Sequence, residues 1–377
     1  MANFDEIEIK NDSLSARLRT RIEREGPISF RDWMRAALYD EREGYYCRPG
    51  PLRQGRAGDY RTAPESSPLF AATFAWYFSK LFADLFFELG SPPTWTIFEA
   101  GAGGGDFAYG VLSRLRAKYP DVFSATSYVI DELSPEVRRR AEERLSEFAE
   151  CLTFQRFVEI NNPAIGGVCF SNELIDAFPV HRVIERNGRL SELCVGLKQN
   201  DFIWVERDPD ERVAEYCRRI ELRLAEGQIA EINLAAEEYV SRAAGLFERG
   251  FLVTVDYGAE RNELLDSPHR FAGTLRAFHR HQVIDNVLAR PGEQDLTTTI
   301  DWTQIKEAGR RAGLRVIRFQ RLDQFLAAGL GILSEMIAHT SDPVEALRLS
   351  TSAREMIMPN GLAASFQVLV QEKDPGP

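Results

Sequence analysis

The sequence predicts an α/β fold: a parallel, Rossmann-like sheet with an N-terminal helical cap and an inserted antiparallel hairpin lobe. Three observations predict it. Short apolar runs alternate with amphipathic helical stretches from Thr94 onward, the pattern of βαβ units. A glycine-rich turn, EAGAGGGD (Glu99 to Asp106), follows the first such run directly. Two turn signals, Asn187-Gly188 and Asn200-Asp201, then interrupt the alternation, and Asn-Gly between strand-like runs marks a hairpin. These divide the chain into a helical cap (1–90), a cofactor-binding core (91–181), an inserted hairpin and helical lobe (182–249) and the remainder of the core (250–377).

The elements follow in order. Leu14, Leu18 and Ile22 recur at helical spacing. In PISFRDWMRAALYD, Ser29 is a candidate N-cap, and Phe30, Trp33, Met34, Ala37 and Leu38 share a face. A polar loop leads to a strongly apolar helix ending at Gly90. TWTIFEAG reads as the first strand, 106–118 as its helix, and TSYVID as the second strand. Pro135 opens a helix with the stripe Val137, Ala141, Leu145 and Phe148. CLTFQRF and GGVCFSN read as the third and fourth strands. After the hairpins, helices are expected over 211–225 and 235–249. GFLVTVDYG restores a buried strand, WTQIKEAGRRAGL is a helix, and RVIRFQR and ASFQVLVQE are strands.

Composition narrows the function. The chain has 377 residues, enough for more than one lobe. A net charge of −11 disfavours nucleic-acid binding, which needs clustered Lys and Arg. The five cysteines are scattered, with no CxxC, and point to a reducing compartment. No run reaches the length of a membrane span, and the acidic N-terminus lacks a secretory signal. The expectation is a cytoplasmic protein of bacterial type. His279 and His281 lie two apart without further ligands nearby, so no metal site is expected.

The glycine turn has Gly101, Gly103 and Gly105, but Asp106 stands where the dinucleotide fingerprint needs its third glycine. A carboxylate at a helix N-terminus repels a pyrophosphate and suits a ligand carrying an ammonium or sulfonium. An N-cap is the structural alternative for Asp106. The second strand ends VIDELSP. An acid there can accept both ribose hydroxyls. Asp131 and Glu132 are candidates, and alternation lets only one face the crevice. The alternative is a helix cap at Ser134 with exposed acids. Together with Glu99, this pattern suggests S-adenosylmethionine at the carboxyl edge of the sheet.

FSNELIDAFPVHR (Phe170 to Arg182) places Asn172, Glu173 and Asp176 at the mouth of an apparently buried strand. Buried carboxylates are costly unless paired or used. If the segment is helical, Glu173 and Asp176 share a face. Paired carboxylates can grip a guanidinium, orient one nitrogen and receive its proton. Alternatively Asp176 caps a helix and Glu173 pairs with Arg182. Asp256 and Tyr257, ending the next core strand, either line a substrate channel or form a turn.

At this point the chain resembles the MidA-like methyltransferases over nearly its whole length. The resemblance is carried by GPISFRDWMRAALYDEREGYY, GDYRTAPESSPLF, EAGAGGGD, ELSPEVR, NELIDAFPVHR, DYG, GTLRAFHRH, PGEQDLT and FQVLV. It implies a class I methyltransferase sheet. It also implies S-adenosylmethionine as cofactor, and a protein arginine as methyl acceptor, in a respiratory complex I subunit for the mitochondrial members. It places Gly58, Asp59, Thr62, Ala63 and Pro64 in a lid over the cofactor. Glu99, Gly101, Gly103, Gly105, Asp106, Glu132, Leu133 and Asn172 complete the expected cofactor site. Asn172, Glu173 and Asp176 are the expected catalytic group. The chain carries Gly104, Ala141 and Thr299 where that family commonly has Arg, Gln and His. Two other functions compete: a nicotinamide oxidoreductase, which Asp106 counts against, and an assembly factor that binds cofactor without transferring its methyl.

Overall fold

The computed structural model describes residues 13–48, 67–89, 95–279 and 282–373. It divides into two compact units. One comprises Leu52–Leu174, Tyr239–Gly258 and Gln304–Pro377. Among the described residues its sheet has a main path of seven strands: β1 (Trp95–Ala100), β2 (Thr126–Asp131), β3 (Leu152–Phe154), β4 (Ala164–Asn172), β5 (Phe247–Ala259), β6 (Leu314–Arg321) and β7 (Phe366–Lys373), with the short strand Ile300–Asp301 pairing off that path with β5. They lie in the order β6-β7-β5-β4-β1-β2-β3. β3, β2, β1, β4 and β5 run parallel. β7 is antiparallel to both β5 and β6.

The chain starts at β1, moves outward through β2 and β3, then crosses to β4 on the other side of β1. The reversal between β1 and β4 is the topological switch point, where the strand ends diverge and leave a crevice. Register fixes which residues meet there. Ala100 pairs with Asp131 on one side and with Ser171 on the other. The tips of β2, β1 and β4 therefore end in one row.

Four helices of this unit are α1 (Pro68–Leu89), α2 (Asp106–Lys118), α3 (Pro120–Ala125) and α4 (Pro135–Arg144). Helix α1, expected in a separate cap, belongs here because its apolar face is covered by the sheet and by α2. Phe74 of α1 meets Phe107 at 5.8 Å and Phe170 at 5.1 Å. Phe107 in turn stacks on Phe170 at 4.0 Å with the rings 10° apart. Full burial of such rings stabilises the unit by roughly 2–3 kcal/mol each.

Several boundaries differ from the sequence reading. The strand expected from Gly250 begins at Phe247, and the helix before it spans Leu234–Ala244. Gly245 ends that helix, its N–H bonding back to the carbonyls of Ser241 and Arg242. Phe247 and Arg249 then pair with Ala164 and Gly166 of β4. The third strand is confined to three residues. The helix expected to Ala225 stops at Arg219, ahead of Glu221 with φ 50°. Helix α3 was not anticipated; Pro120 at its first turn was its signal.

The other unit comprises Met1–Pro51, Ile175–Glu238 and Ala259–Thr303. Its helix Leu14–Glu25 buries Leu14, Leu18 and Ile22. Ser29 caps the helix Phe30–Tyr39, accepting from the Asp32 N–H at 3.1 Å. An antiparallel sheet joins Ile28–Ser29, His181–Arg186, Arg189–Lys198, Asp201–Arg207 and Ile229–Ile232. The first hairpin turns at Asn187-Gly188, both with positive φ, as a two-residue turn matching strand twist requires. The second turns at Gln199-Asn200, one residue earlier than the sequence suggests, because Lys198 pairs with Asp201. Val183, Val213, Tyr216, Cys217, Ala230 and Ile232 form the core beneath. The chain leaves the parallel-sheet unit for this one just after β4 and at the end of β5, both carboxyl ends.

Candidate cofactor site at the carboxyl edge of the sheet

β1 runs straight into the glycine turn. Gly101, Gly103 and Gly105 have φ of 68°, 55° and 80°, a region that costs other L-residues about 1–2 kcal/mol. At Gly101 a Cβ would also lie 2.8 Å from Leu174 Cδ1. Gly105 is the N-cap of α2 and provides no side-chain acceptor. The first N–H groups of α2 are thus not held by a capping side chain, which suits a ligand. Asp106 is the first helical residue, so the N-cap alternative for it does not hold. Its carboxylate lies 2.6 Å from Arg144 Nη2.

The tip of β2 separates its two acids. Asp131 accepts from Arg156 Nε at 2.6 Å and from the Phe157 N–H at 2.8 Å. It is committed to holding the chain after β3. Glu132 accepts from the N–H of Gly103 at 3.0 Å and of Ser134 at 2.9 Å. Glu132 therefore faces the glycine turn. Burial pushes its pKa upward, against those two backbone donors. Ser134 does cap α4, accepting from Val137, but Glu132 beside it is not a freely solvated acid. Leu133 leaves an apolar side chain 42% exposed at the same tip.

Glu99 is almost fully buried at the end of β1. It accepts a 2.6 Å hydrogen bond from the Tyr128 hydroxyl. Desolvation pushes its pKa up to about 8, with the Tyr128 bond opposing and the charges of Glu132 and Asp106 adding. Glu99 is thus mainly neutral at pH 7, and a nearby cation would favour its ionised form. Tyr128 was missed by the sequence reading; a tyrosine inside a buried strand needs a partner for its hydroxyl, and that was the available signal.

At the end of β4, Asn172 pairs in register with Val255. Its Nδ2 donates to Glu173 Oε1 at 3.0 Å. Its Oδ1 is buried and meets no hydrogen-bond partner among the described residues. Such an orphan acceptor costs about 1–3 kcal/mol unless a ligand or water satisfies it. Glu173 adopts φ 49°, its N–H bonding to the Val255 carbonyl at 3.0 Å. That left-handed residue ends the strand, and the helical turn begins only at Ile175. Glu173 and Asp176 therefore do not share a helical face. Glu173 belongs to the parallel-sheet unit and Asp176 to the other. Asp176 is 5% exposed within the short turn Ile175–Ala177. Arg182, the alternative partner for Glu173, is instead bonded to Glu231 at 3.0 Å.

The remaining expectations fall as follows. Gly58, Asp59, Thr62, Ala63 and Pro64 lie outside the described residues. Asp256 is fully buried, and one of its oxygens accepts the Tyr257 N–H at 2.9 Å. Tyr257 packs on Phe366. His279 Nδ1 bonds the Glu293 carbonyl oxygen at 2.8 Å, and His281 lies outside the described residues. Among the described residues no group of three metal-ligating side chains occurs, and no helix is long and apolar enough to cross a membrane.

The parts suit a zwitterionic sulfonium nucleoside. Gly101, Gly103 and Gly105, at positive φ and lacking a Cβ, admit close backbone approach. Glu132 offers acceptors for neighbouring hydroxyls. Glu99 and Asp106 favour positive charge, and Asn172 keeps an acceptor free. Asp106, at the first position of α2, opposes a pyrophosphate, which weighs against the nicotinamide alternative.

Comparison with known proteins agrees. The sequence profile of a family described as "Putative S-adenosyl-L-methionine-dependent methyltransferase" matches residues 78–320. A curated relative in Danio rerio, the mitochondrial protein arginine methyltransferase NDUFAF7, is 26% identical over 95% of this chain and 86% of its own. Its Drosophila melanogaster homolog is 27% identical over 86% of this chain and 79% of its own. A Burkholderia thailandensis crystal structure with S-adenosyl-homocysteine bound is 28% identical, with a TM-score of 0.83. That likeness covers 99% of this chain and 95% of the other.

Proposed function

The chain belongs to this family of S-adenosylmethionine-dependent methyltransferases, and we propose that it methylates a side-chain nitrogen of a protein, with arginine the leading acceptor. The observation that carries this reading is the meeting of the glycine turn and Glu132 with Asn172 and Glu173 at neighbouring strand tips. The names of the relatives support the protein arginine acceptor. The family resemblance makes a respiratory complex I subunit the first candidate. The relatives are named mitochondrial; for this chain we propose a reducing, cytoplasmic compartment, in keeping with five cysteines that are all free thiols.

When bound, S-adenosylmethionine supplies an electrophilic methyl on a cationic sulfur. The residues divide the remaining work. Gly101, Gly103 and Gly105 let the backbone come close. Glu132 accepts from the ribose hydroxyls, and Leu133 covers the adenine. Glu99 and Asp106 balance positive charge, and Asn172 Oδ1 takes a donor from the cofactor's polar tail. Glu173 and Asp176 orient the acceptor. A guanidinium keeps its proton in water, so an arginine acceptor needs carboxylates to grip it and take that proton. Transfer also needs the nitrogen about 3 Å from the methyl and in line with the breaking bond.

The test is incubation of the chain with methyl-labelled S-adenosylmethionine and an extract of cells lacking it. Mass spectrometry should then find label on an arginine of a discrete protein. Label on another residue type would move the acceptor. No transfer to any fraction would favour a cofactor-binding assembly factor.

A further inference from the structure

The turn Ile175–Ala177 carries Asp176 and is only three residues long. So short a 3₁₀ turn does not hold its own shape. Its three consecutive carbonyls each receive a donor from a different, distant segment. Asn233 Nδ2 donates to the Ile175 carbonyl at 3.3 Å. The Thr298 N–H donates to the Asp176 carbonyl at 2.9 Å, with Thr298 Oγ1 at 3.4 Å. The Tyr39 hydroxyl donates to the Ala177 carbonyl at 3.0 Å.

Thr298 is itself braced. The N–H of its neighbour Thr299 donates to Thr274 Oγ1 at 3.1 Å. Thr274 donates its N–H and hydroxyl to Glu231 Oε2, at 2.7 and 3.0 Å. Glu231 Oε1 accepts from Arg182 Nε at 3.0 Å, and both side chains are buried. Arg182 also donates to the Ala272 carbonyl at 2.8 Å and lies over the Trp204 ring at 4.9 Å. Bonds to the main chain fix the Cα–Cβ direction of Asp176 without touching its carboxylate. Thr299 contributes here through its backbone N–H, so its side-chain identity is free to differ.

We propose that Tyr39, Asn233 and Thr298, braced by the Arg182–Glu231–Thr274 network, are positioning residues that aim the Asp176 carboxylate at the methyl acceptor. This rests on the role given to Asp176 above.

The test compares the full chain with Tyr39→Phe/Asn233→Ala and with Asp176→Asn. Three readouts are taken: label transfer from S-adenosylmethionine to the extract, cofactor affinity by calorimetry, and a crystal structure of the double variant. The double variant should transfer roughly ten- to a hundredfold more slowly, as expected for a misplaced group. Its cofactor affinity should not change, and Asp176 should point elsewhere or in two directions. Loss of transfer with Asp176 in its original place overturns the proposal. So does full transfer by the double variant while Asp176→Asn is inactive. Full transfer by Asp176→Asn itself overturns the role of Asp176, and the proposal with it. If the double variant does not fold, Tyr39→Phe alone carries the same readouts, since it removes only a hydroxyl.

Discussion

The N–H of Gly103 donates to the carboxylate of Glu132 at 3.0 Å, tying the glycine turn to the tip of the second strand. Two motifs 29 residues apart in sequence thereby become one surface. Its neighbour Asp131 is taken up by Arg156 and Phe157, on the other side of the strand.

Glu132→Ala should weaken S-adenosylmethionine binding. Hydrogen bonds to a charged acceptor contribute about 1.5–3 kcal/mol, so calorimetry should read roughly a ten- to hundredfold rise in Kd. Asp131→Asn should lower thermal stability and leave that affinity near normal. The reverse pattern would assign the ribose to Asp131.

Asp176→Asn should leave cofactor affinity near normal and reduce label transfer by roughly a hundredfold or more, the scale of a lost proton acceptor. Undiminished transfer would remove Asp176 from the chemistry.

Glu99 makes stability depend on pH. Its folded pKa, about 8, lies above the ordinary value of 4.5. The protonated acid favours the folded chain, fully below the ordinary value, and that contribution is lost as pH rises through about 8. Melting temperature should therefore fall between pH 5 and pH 9, and Glu99→Gln should flatten that fall. If Glu99 faces the cofactor's positive charge, binding at pH 7 should release a proton. Calorimetry in buffers of different ionisation enthalpy should detect it in the native chain and not in Glu99→Gln.

Gly105→Ala should destabilise the chain by about 1–2 kcal/mol, the cost of an L-residue at positive φ. Contacts at 3.1 Å to Leu145 and 3.3 Å to Ala141 would add to it. Urea unfolding measures the loss, and an unchanged midpoint would show that the turn can relax.

The sequence by itself determined the parallel sheet, the glycine turn, the candidate acids and the antiparallel insert. Each is written locally: strand runs spaced by helices, positive-φ glycines, a carboxylate at a helix start, an Asn-Gly turn. Periodicity also placed 106–118 and 126–131 correctly to the residue, because their ends carry strong local signals. It did not choose between Asp131 and Glu132, since alternation says that one turns inward and not which. That choice needed Arg156 and the Gly103 N–H, which folding brings together. Nor could it show that Glu173 breaks the helical register before Asp176, a backbone conformation set by its bond to Val255 of the next strand. The grip of Tyr39, Asn233 and Thr298 on three successive carbonyls is likewise invisible in sequence. Those donors lie as many as 138 residues from their acceptors, and only tertiary packing decides where a hydrogen bond of that span will form.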